Sequence, residues 1–490
     1  MGEVRKLQKK LRQIENLEIK ISLTAEERFK ISRKAELRSR LAQLQLQLSG
    51  PQQTLGIEEV GRQWVGGSLT LIHAEELCRL LSQCAYESTL LTAQIISFTE
   101  AEFTSLKASW EKSRFRLRLL EGHSDIVTSV VAVDNLVVSG SRDTTVKVWH
   151  VPTATEQKNL GGHTGGVTCL SAPPPEYCSR LARSLSLSTK ERFILSGSAD
   201  CYVKIWALNI GQCVKSIYTF NAVTALCFVP EDDGYIITGS DGGKVQAWSW
   251  HSFHNCQSVN AHQEAVTSIQ SQGPLVFSGS AEGGVSVWEN RCSDRDPLTL
   301  LHHWSSQVTG FRGRLGGRLT LSPRGDKVFL AYGQAWLKIL HWRTGATSRV
   351  TNHSNVTGVT DCIHQTGGLL IGSCYDLATG ESTLNLFSLP QCQYLVSLAW
   401  PDAPRILCFA AWTTGSGDHR WVTGGHNLTV LEQLPSSGKQ RGDVTVKRDS
   451  RMDSCLESEG DTEGDEDTDD SCSDSAEDGG SGSWLRCVLQ

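Results

Sequence analysis

Apolar positions along residues 1–48 recur every three or four places: Leu7, Leu11, Ile14, Leu17 and Ile21, then Leu37, Leu41, Leu44 and Leu48. That spacing lays them along one helical face. Thr24 followed by Glu27 is a capping box that restarts the chain as a second helix. Residues 1–48 are therefore expected to form a helical hairpin or one strand of a coiled coil. Residues 49–113 read as a helical linker region, with "HAEELCRLLSQCAYESTLLTAQIISF" followed by "TEAEFTSLKASWEKSR" and Thr99 as an N-cap.

From residue 114 the period drops to two. "LLEGHSDIVTSVVAVDNLVVSGSRDTTVKVWHV" contains Gly-His, an alternating apolar run, a Ser-Gly-Ser-x-Asp turn, a second alternation and a tryptophan. The pattern returns at "LGGHTGGVTCL" with "FILSGSADCYVKIWAL", and again at intervals of about 40 residues up to Leu434, seven times in all. Alternation predicts strands, and the Gly/Ser/Asp clusters predict tight turns. A multi-strand unit repeated seven times predicts an all-β seven-bladed propeller over 114–434.

These copies resemble the WD-repeat family. The resemblance implies a hydrogen-bonded set of His, Ser or Thr, Asp and Trp in each complete blade. His123, Ser139, Asp143 and Trp149 match it, as do His163, Ser196, Asp200 and Trp206. The fourth copy has His262, Ser278, Glu282 and Trp288, with Glu in place of Asp, and the third has Phe220-Asn221 in place of Gly-His but keeps Trp248. The last three copies keep only the strand-turn rhythm. The family implies that Phe115–Leu120 closes the ring by completing the last blade, removing an open sheet edge. Separately, "KLQKKLRQIENL" with "KISRKAEL" looks like the basic helical segment at the C-terminal ends of translation initiation factor 2A and the exon-junction-complex disassembly protein. There the segment is linked to ribosome association.

Charge sits at the two ends. Residues 1–48 carry twelve Lys/Arg against six Asp/Glu, and residues 451–490 carry two against thirteen, so the middle is close to neutral. The acidic end, with its low hydrophobicity, predicts a disordered tail over 435–490. Within it Ser454, Ser458, Thr462, Ser471 and Ser475 each precede an acid by three residues, the pattern of acid-directed kinases, and five phosphates would about double the tail's charge. Ser184 and Ser186, in an insertion with Arg180 and Arg183, are read either as part of a long loop or as basophilic kinase sites. The final residues Cys487-Val488-Leu489-Gln490 form a C-a-a-X pattern, with Cys487 a candidate for farnesylation. With no polybasic or second lipid signal beside it, only weak membrane association is expected. The sixteen cysteines form no C-x-x-C pair and no secretory signal precedes them, so reduced, mostly buried thiols in a cytoplasmic protein are expected.

The recurring histidines are read as structural. No Ser/His/Asp set stands outside the repeats and the Gly-rich turns lack phosphate-loop spacing, so no catalytic residue, metal or cofactor is expected. The sequence predicts a non-catalytic scaffold that binds proteins or peptides on the propeller, with Asp125 and Arg142 as candidate contacts, and self-association through the N-terminal coil. The alternative is a ribosome- or RNA-associated regulator using the basic hairpin.

Overall fold

The computed structural model describes residues 100–293, 295–310, 318–355, 357–435, 442–449, 452 and 457–458. The expected hairpin over 1–48, and all of the linker region up to residue 99, lie outside the described residues.

The described chain forms seven antiparallel sheets, one per blade. Blade 1 runs from its inner strand Val127–Val133 through Leu136–Ser141 and Val146–His150 to its outer strand Thr155–Leu160. Blades 2 to 6 follow over 167–218, 223–260, 266–304, 318–351 and 358–399. Blade 7 takes three strands from 406–433, and its outer strand is Phe115–Leu120, which pairs antiparallel with Leu428–Gln433 over six residues. Phe115 is wholly buried and Leu120 nearly so, so this strand supplies core as well as an edge.

Neighbouring blades are tied at the centre by a recurring Val-Thr pair. A bulge falls at Thr128, Thr168 and Thr224 on three successive inner strands. Each hydroxyl then donates to the valine carbonyl of the next blade: Thr128 to Val167, Thr168 to Val223, and Thr224 to Val266. The bulge frees a threonine from its own ladder so that it can reach across.

Three further features lie outside the repeat pattern, and the second and third depart from the sequence reading. Residues 100–111 form a helix whose Trp110 is buried on blade 7, with ring centroids 5.8 Å from Trp421 and 6.4 Å from Phe115. The insertion in blade 2 contains a helix, Pro175–Ser184, that buries Tyr177, Cys178, Leu181 and Ala182 and accepts a hydrogen bond from Trp250 Nε1 at the Tyr177 carbonyl. The reading of this segment as a long loop is thus corrected: Pro175 starts a helix and the apolar spacing buries one face.

The expectation that 435–490 has no structure is also corrected in part. Thr445–Lys447 adds a strand to the outer edge of blade 6, and Glu457–Ser458 pairs with Arg349 and Ser348 at the edge of blade 5. Val444 and Met452 are buried. The sequence "GDVTVKRDSRMD" offers enough apolar surface to dock, which its polar surroundings conceal.

Candidate functional site

Four antiparallel strands alternate in direction. The connection from each outer strand to the next inner strand therefore falls at the same end as the turn between the second and third strands. That end carries the recurring histidines, and in blade 1 both segments meet in one hydrogen-bonded chain. Trp149 Nε1 donates to Ser139 Oγ at 2.7 Å, Ser139 Oγ lies 2.7 Å from His123 Nε2, and His123 Nδ1 lies 2.7 Å from Asp143 Oδ2. Indole N–H is a donor only, so the serine proton goes to Nε2 and the imidazole carries its own proton on Nδ1.

Burial pushes the His123 imidazole below its ordinary value, and its hydrogen bond to Asp143 only partly offsets this, so the ring is held neutral. Burial alone would raise the Asp143 carboxyl, but hydrogen bonds from Thr145 and His123 outweigh it and hold the group below the usual range. Blade 2 repeats the set: Trp206 to Ser196 at 2.8 Å, Ser196 to His163 at 2.7 Å, and His163 to Asp200 at 2.8 Å. These groups tie the loops to the sheets.

Blade 4 shows what the Asp-to-Glu change does. Trp288, Ser278 and His262 Nε2 are joined, but Glu282 stays 3.9 Å from His262 Nδ1, which is buried without a hydrogen-bond partner. The longer side chain instead accepts from Gln263 N and Ser280 Oγ. With no carboxylate close enough to compensate, burial lowers the His262 imidazole to about 4. The unfolded chain titrates near 6.5, so between pH 6.5 and about 4 it binds more protons than the folded chain, and stability falls as pH drops through that window. The loss from this one group is on the order of 3 kcal/mol when complete. Thermal melts from pH 7 to 4.5 are expected to show a steeper decline for the native chain than for Glu282→Asp, whose shorter carboxylate reaches Nδ1. Parallel declines would refute this account of the acid sensitivity.

Blade 3 keeps only Trp248 Nε1 donating to Thr238 Oγ1 at 3.1 Å. Blade 6 uses a different buried polar set. Asn352 Nδ2 donates to Thr360 Oγ1 and to the Ser373 carbonyl, while Asn385 Nδ2 bonds the Asn352 carbonyl. Sequence reasoning missed this set because no residue in it matches the repeat motif.

The candidate contacts Asp125 and Arg142 both lie at the histidine end. Asp125 is exposed and caps its own loop by accepting from Ile126 N, and Arg142 is half-buried with its backbone N–H donating to the Ile126 carbonyl. Ser184 closes the last turn of the blade 2 helix, its Oγ donating to the Leu181 carbonyl, and Ser186 is exposed just beyond it. Among the tail residues, Ser458 has only its backbone described. Ser454, Thr462, Ser471, Ser475 and Cys487 lie outside the described residues.

At the opposite end, a groove of about 630 Å³ opens between blades 7 and 1, with Arg116, Arg118, Arg420, Glu432, Asp134 and Trp412 in its lining. Arg118 and Arg420 share the Glu432 carboxylate at 2.8 and 3.4 Å. It is assembled from segments some 300 residues apart, so no local signal in the sequence could reveal it. Burial pushes the thiols of Cys169 up to about 11 and of Cys227 and Cys362 up to about 12. Such thiols are inert.

Seven antiparallel blades, the last completed by an N-terminal strand, make a seven-bladed propeller, with complete Trp-Ser-His-Asp sets in blades 1 and 2. Four stretches match the family model described as "WD domain, G-beta repeat": residues 114–150, 154–207, 211–249 and 254–289. Similar curated proteins include the kinesin-like protein KIF21A of Homo sapiens, 22% identical over 200 residues, 35% of this chain and 11% of that protein. Protein ROOT INITIATION DEFECTIVE 3 of Arabidopsis thaliana is 27% identical over 213 residues, 39% of this chain and 45% of that protein. The ribosome biogenesis protein WDR12 homolog of Ixodes scapularis is 27% identical over 187 residues, 37% of this chain and 40% of that protein. The chain spans less than half the length of each of these relatives.

Proposed function

We propose that this protein is a non-catalytic interaction scaffold whose propeller binds protein or peptide partners at the histidine end. The observation that carries the reading is the way the buried Trp-Ser-His-Asp sets of blades 1 and 2 lock that end's loops to the sheets. A rigid frame presenting exposed side chains on loops suits recognition. Asp125→Lys combined with Arg142→Glu is expected to cut partner recovery from cell extracts at least several-fold while lowering the melting temperature by only about 2–4 °C, through loss of the Asp125 hydrogen bond to Ile126 N. Unchanged recovery would move the contact elsewhere on the ring. Failure of the intact chain to recover any partner would refute the scaffold reading itself.

A second reading, a ribosome- or RNA-associated regulator acting through the basic segment 1–48, is supported by its net charge and by the ribosome biogenesis relative. It requires salt-sensitive co-sedimentation with ribosomes that is lost when residues 1–48 are removed. Co-sedimentation that persists without them would exclude it.

A further inference from the structure

We infer that an exposed aromatic cluster on blade 2, at its junction with blade 3, is a docking point for a lysine- or arginine-rich extended segment of a partner protein. This rests on the scaffold reading and names the chemistry of its partner.

In the third repeat Phe220-Asn221 occupies the connection that carries Gly-His in blades 1 and 2. Phe220 is 71% exposed, the most open large apolar side chain among the described residues. It is also held at φ +68°, a backbone region that glycine adopts freely and a bulky residue does not. The restraint comes from Thr219, which is buried and donates through Oγ1 to both the Cys201 and Asn221 carbonyls. Its backbone N–H also donates to the Cys201 carbonyl. The fold thus holds an aromatic ring out into solvent where glycine would be more stable.

Phe220 is not alone. Its ring lies 4.9 Å from Tyr218, which lies 5.2 Å from Tyr202, giving three tilted rings in a row. Tyr218 and Tyr202 are 48% and 37% exposed. The Lys204 ammonium already sits over the Tyr202 ring at 5.6 Å while donating to Ser216 Oγ, so this surface accepts a cation against a ring face. The outward part of the cluster is the part left open.

The surroundings select the sign of the partner. Exposed carboxylates at this end are Glu121, Asp125, Asp241, Glu264, Glu381 and Asp402, while Arg142, Lys244 and Arg405 are half-buried. Arg405 is bound in a fork by Asp361, both contacts at 2.7 Å. The connection 311–317, with Arg312 and Arg314, lies outside the described residues. Asp241 is the nearest exposed acid by connectivity, because its backbone N–H donates to the Ala222 carbonyl two residues beyond Phe220. A Lys or Arg side chain over Phe220 gains ring-face attraction together with the Asp241 charge. An acidic segment would meet repulsion from every exposed carboxylate at this end.

The test uses the full chain and a fluorescein-labelled peptide of alternating lysine and alanine, with binding read by anisotropy. Phe220→Gly is expected to weaken binding about tenfold while the melting temperature stays the same or rises, because glycine relieves the positive φ. A purely structural Phe220 would instead lower the melting temperature on removal. Asp241→Lys is expected to weaken binding by a similar factor. The acidic tail is the competing site, so Asp465→Asn with Glu466→Gln and Asp467→Asn serves as the control and is expected to leave affinity unchanged. Loss of binding in the tail variant, with none in Phe220→Gly, would overturn the inference. So would equal affinity for a glutamate–alanine peptide. If the intact chain and Phe220→Gly recover the same partners equally from extract, this docking point is wrong and the scaffold reading survives. If the intact chain recovers none, the scaffold reading itself falls.

Discussion

Removing residues 1–122 is expected to abolish a soluble, cooperatively melting ring, whereas removing residues 1–92 leaves it intact. The first cut takes away Phe115–Leu120, the outer strand of blade 7. It thereby uncovers the edge of Leu428–Gln433 and removes Phe115 and Leu120 from the core. It also strips Glu432 of Arg118, leaving that nearly buried carboxylate with Arg420 at 3.4 Å. Together these losses approach the ~5–15 kcal/mol total stability of a typical domain. Removing residues 1–112 keeps the closing strand, so the ring is expected to stay folded and soluble, but it also takes away the helix over 100–111. Trp110 is only 5% exposed and lies against Trp421, Phe115 and His419, so its loss costs about 3–5 kcal/mol. The expected order of melting temperatures is 93–490 highest, 113–490 well below it, and 123–490 insoluble or without a cooperative transition. Equal melting of all three would show that the closing strand and Trp110 are dispensable.

Sequence reasoning reached the blades whose chemistry is local. Seven copies and the alternation of strands follow from residues lying within about 40 positions of one another, whereas the closing segment, which pairs with Leu428–Gln433 at the far end of the repeats, was implied by the family resemblance. The histidine stands 26 residues before the tryptophan in blades 1 and 4 and 43 before it in blade 2, where the insertion intervenes, and each set ties the turn of its own blade to the connection that enters it. What the sequence concealed is chemistry assembled between blades. The Val-Thr pairs were visible as text, yet their role appears only when one blade's hydroxyl is seen to meet the next blade's carbonyl. The polar set of Asn352, Thr360, Ser373 and Asn385 does the work of a motif without resembling one. At Phe220 the sequence showed a missing Gly-His, but the absence of a motif says nothing of exposure, backbone angle or the two tyrosines beside it. The groove between blades 7 and 1 joins the two extremes of the ring, where sequence separation is greatest.

Truncation after Leu434 is expected to lower stability by about 5–8 kcal/mol, while truncation after Ser458 leaves it nearly unchanged. The segment beyond blade 7 runs back along the outer edges of blades 7, 6 and 5. Asp443 serves the closing strand twice, its backbone N–H donating to the Phe115 carbonyl at 2.8 Å and its carboxylate accepting from Leu117 N at 2.9 Å. Hydrogen bonds of this kind contribute about 1 kcal/mol each, somewhat more where a carboxylate is the acceptor. Val444 joins the core of blades 6 and 7, beside Trp110 and Phe115, and Met452 joins the core of blades 5 and 6. Burying each is worth about 1.5–3 kcal/mol. Thr445–Lys447 then pairs with Ser397–Ala399, occupying an edge that would otherwise be open to another chain. Truncation after Ser458 retains every one of these contacts. The strap and the N-terminal strand thus support each other, since Asp443 holds the strand that closes the ring. That link gives a sharper test than truncation alone. Asp443→Ala removes the carboxylate that accepts from Leu117 N and so loosens the strand that seats Phe115, and the effects of Asp443→Ala and Phe115→Ala on unfolding free energy should therefore fall short of additivity by at least 0.5 kcal/mol. Strict additivity in urea melts would mean that the strap covers blade edges without helping to close the ring.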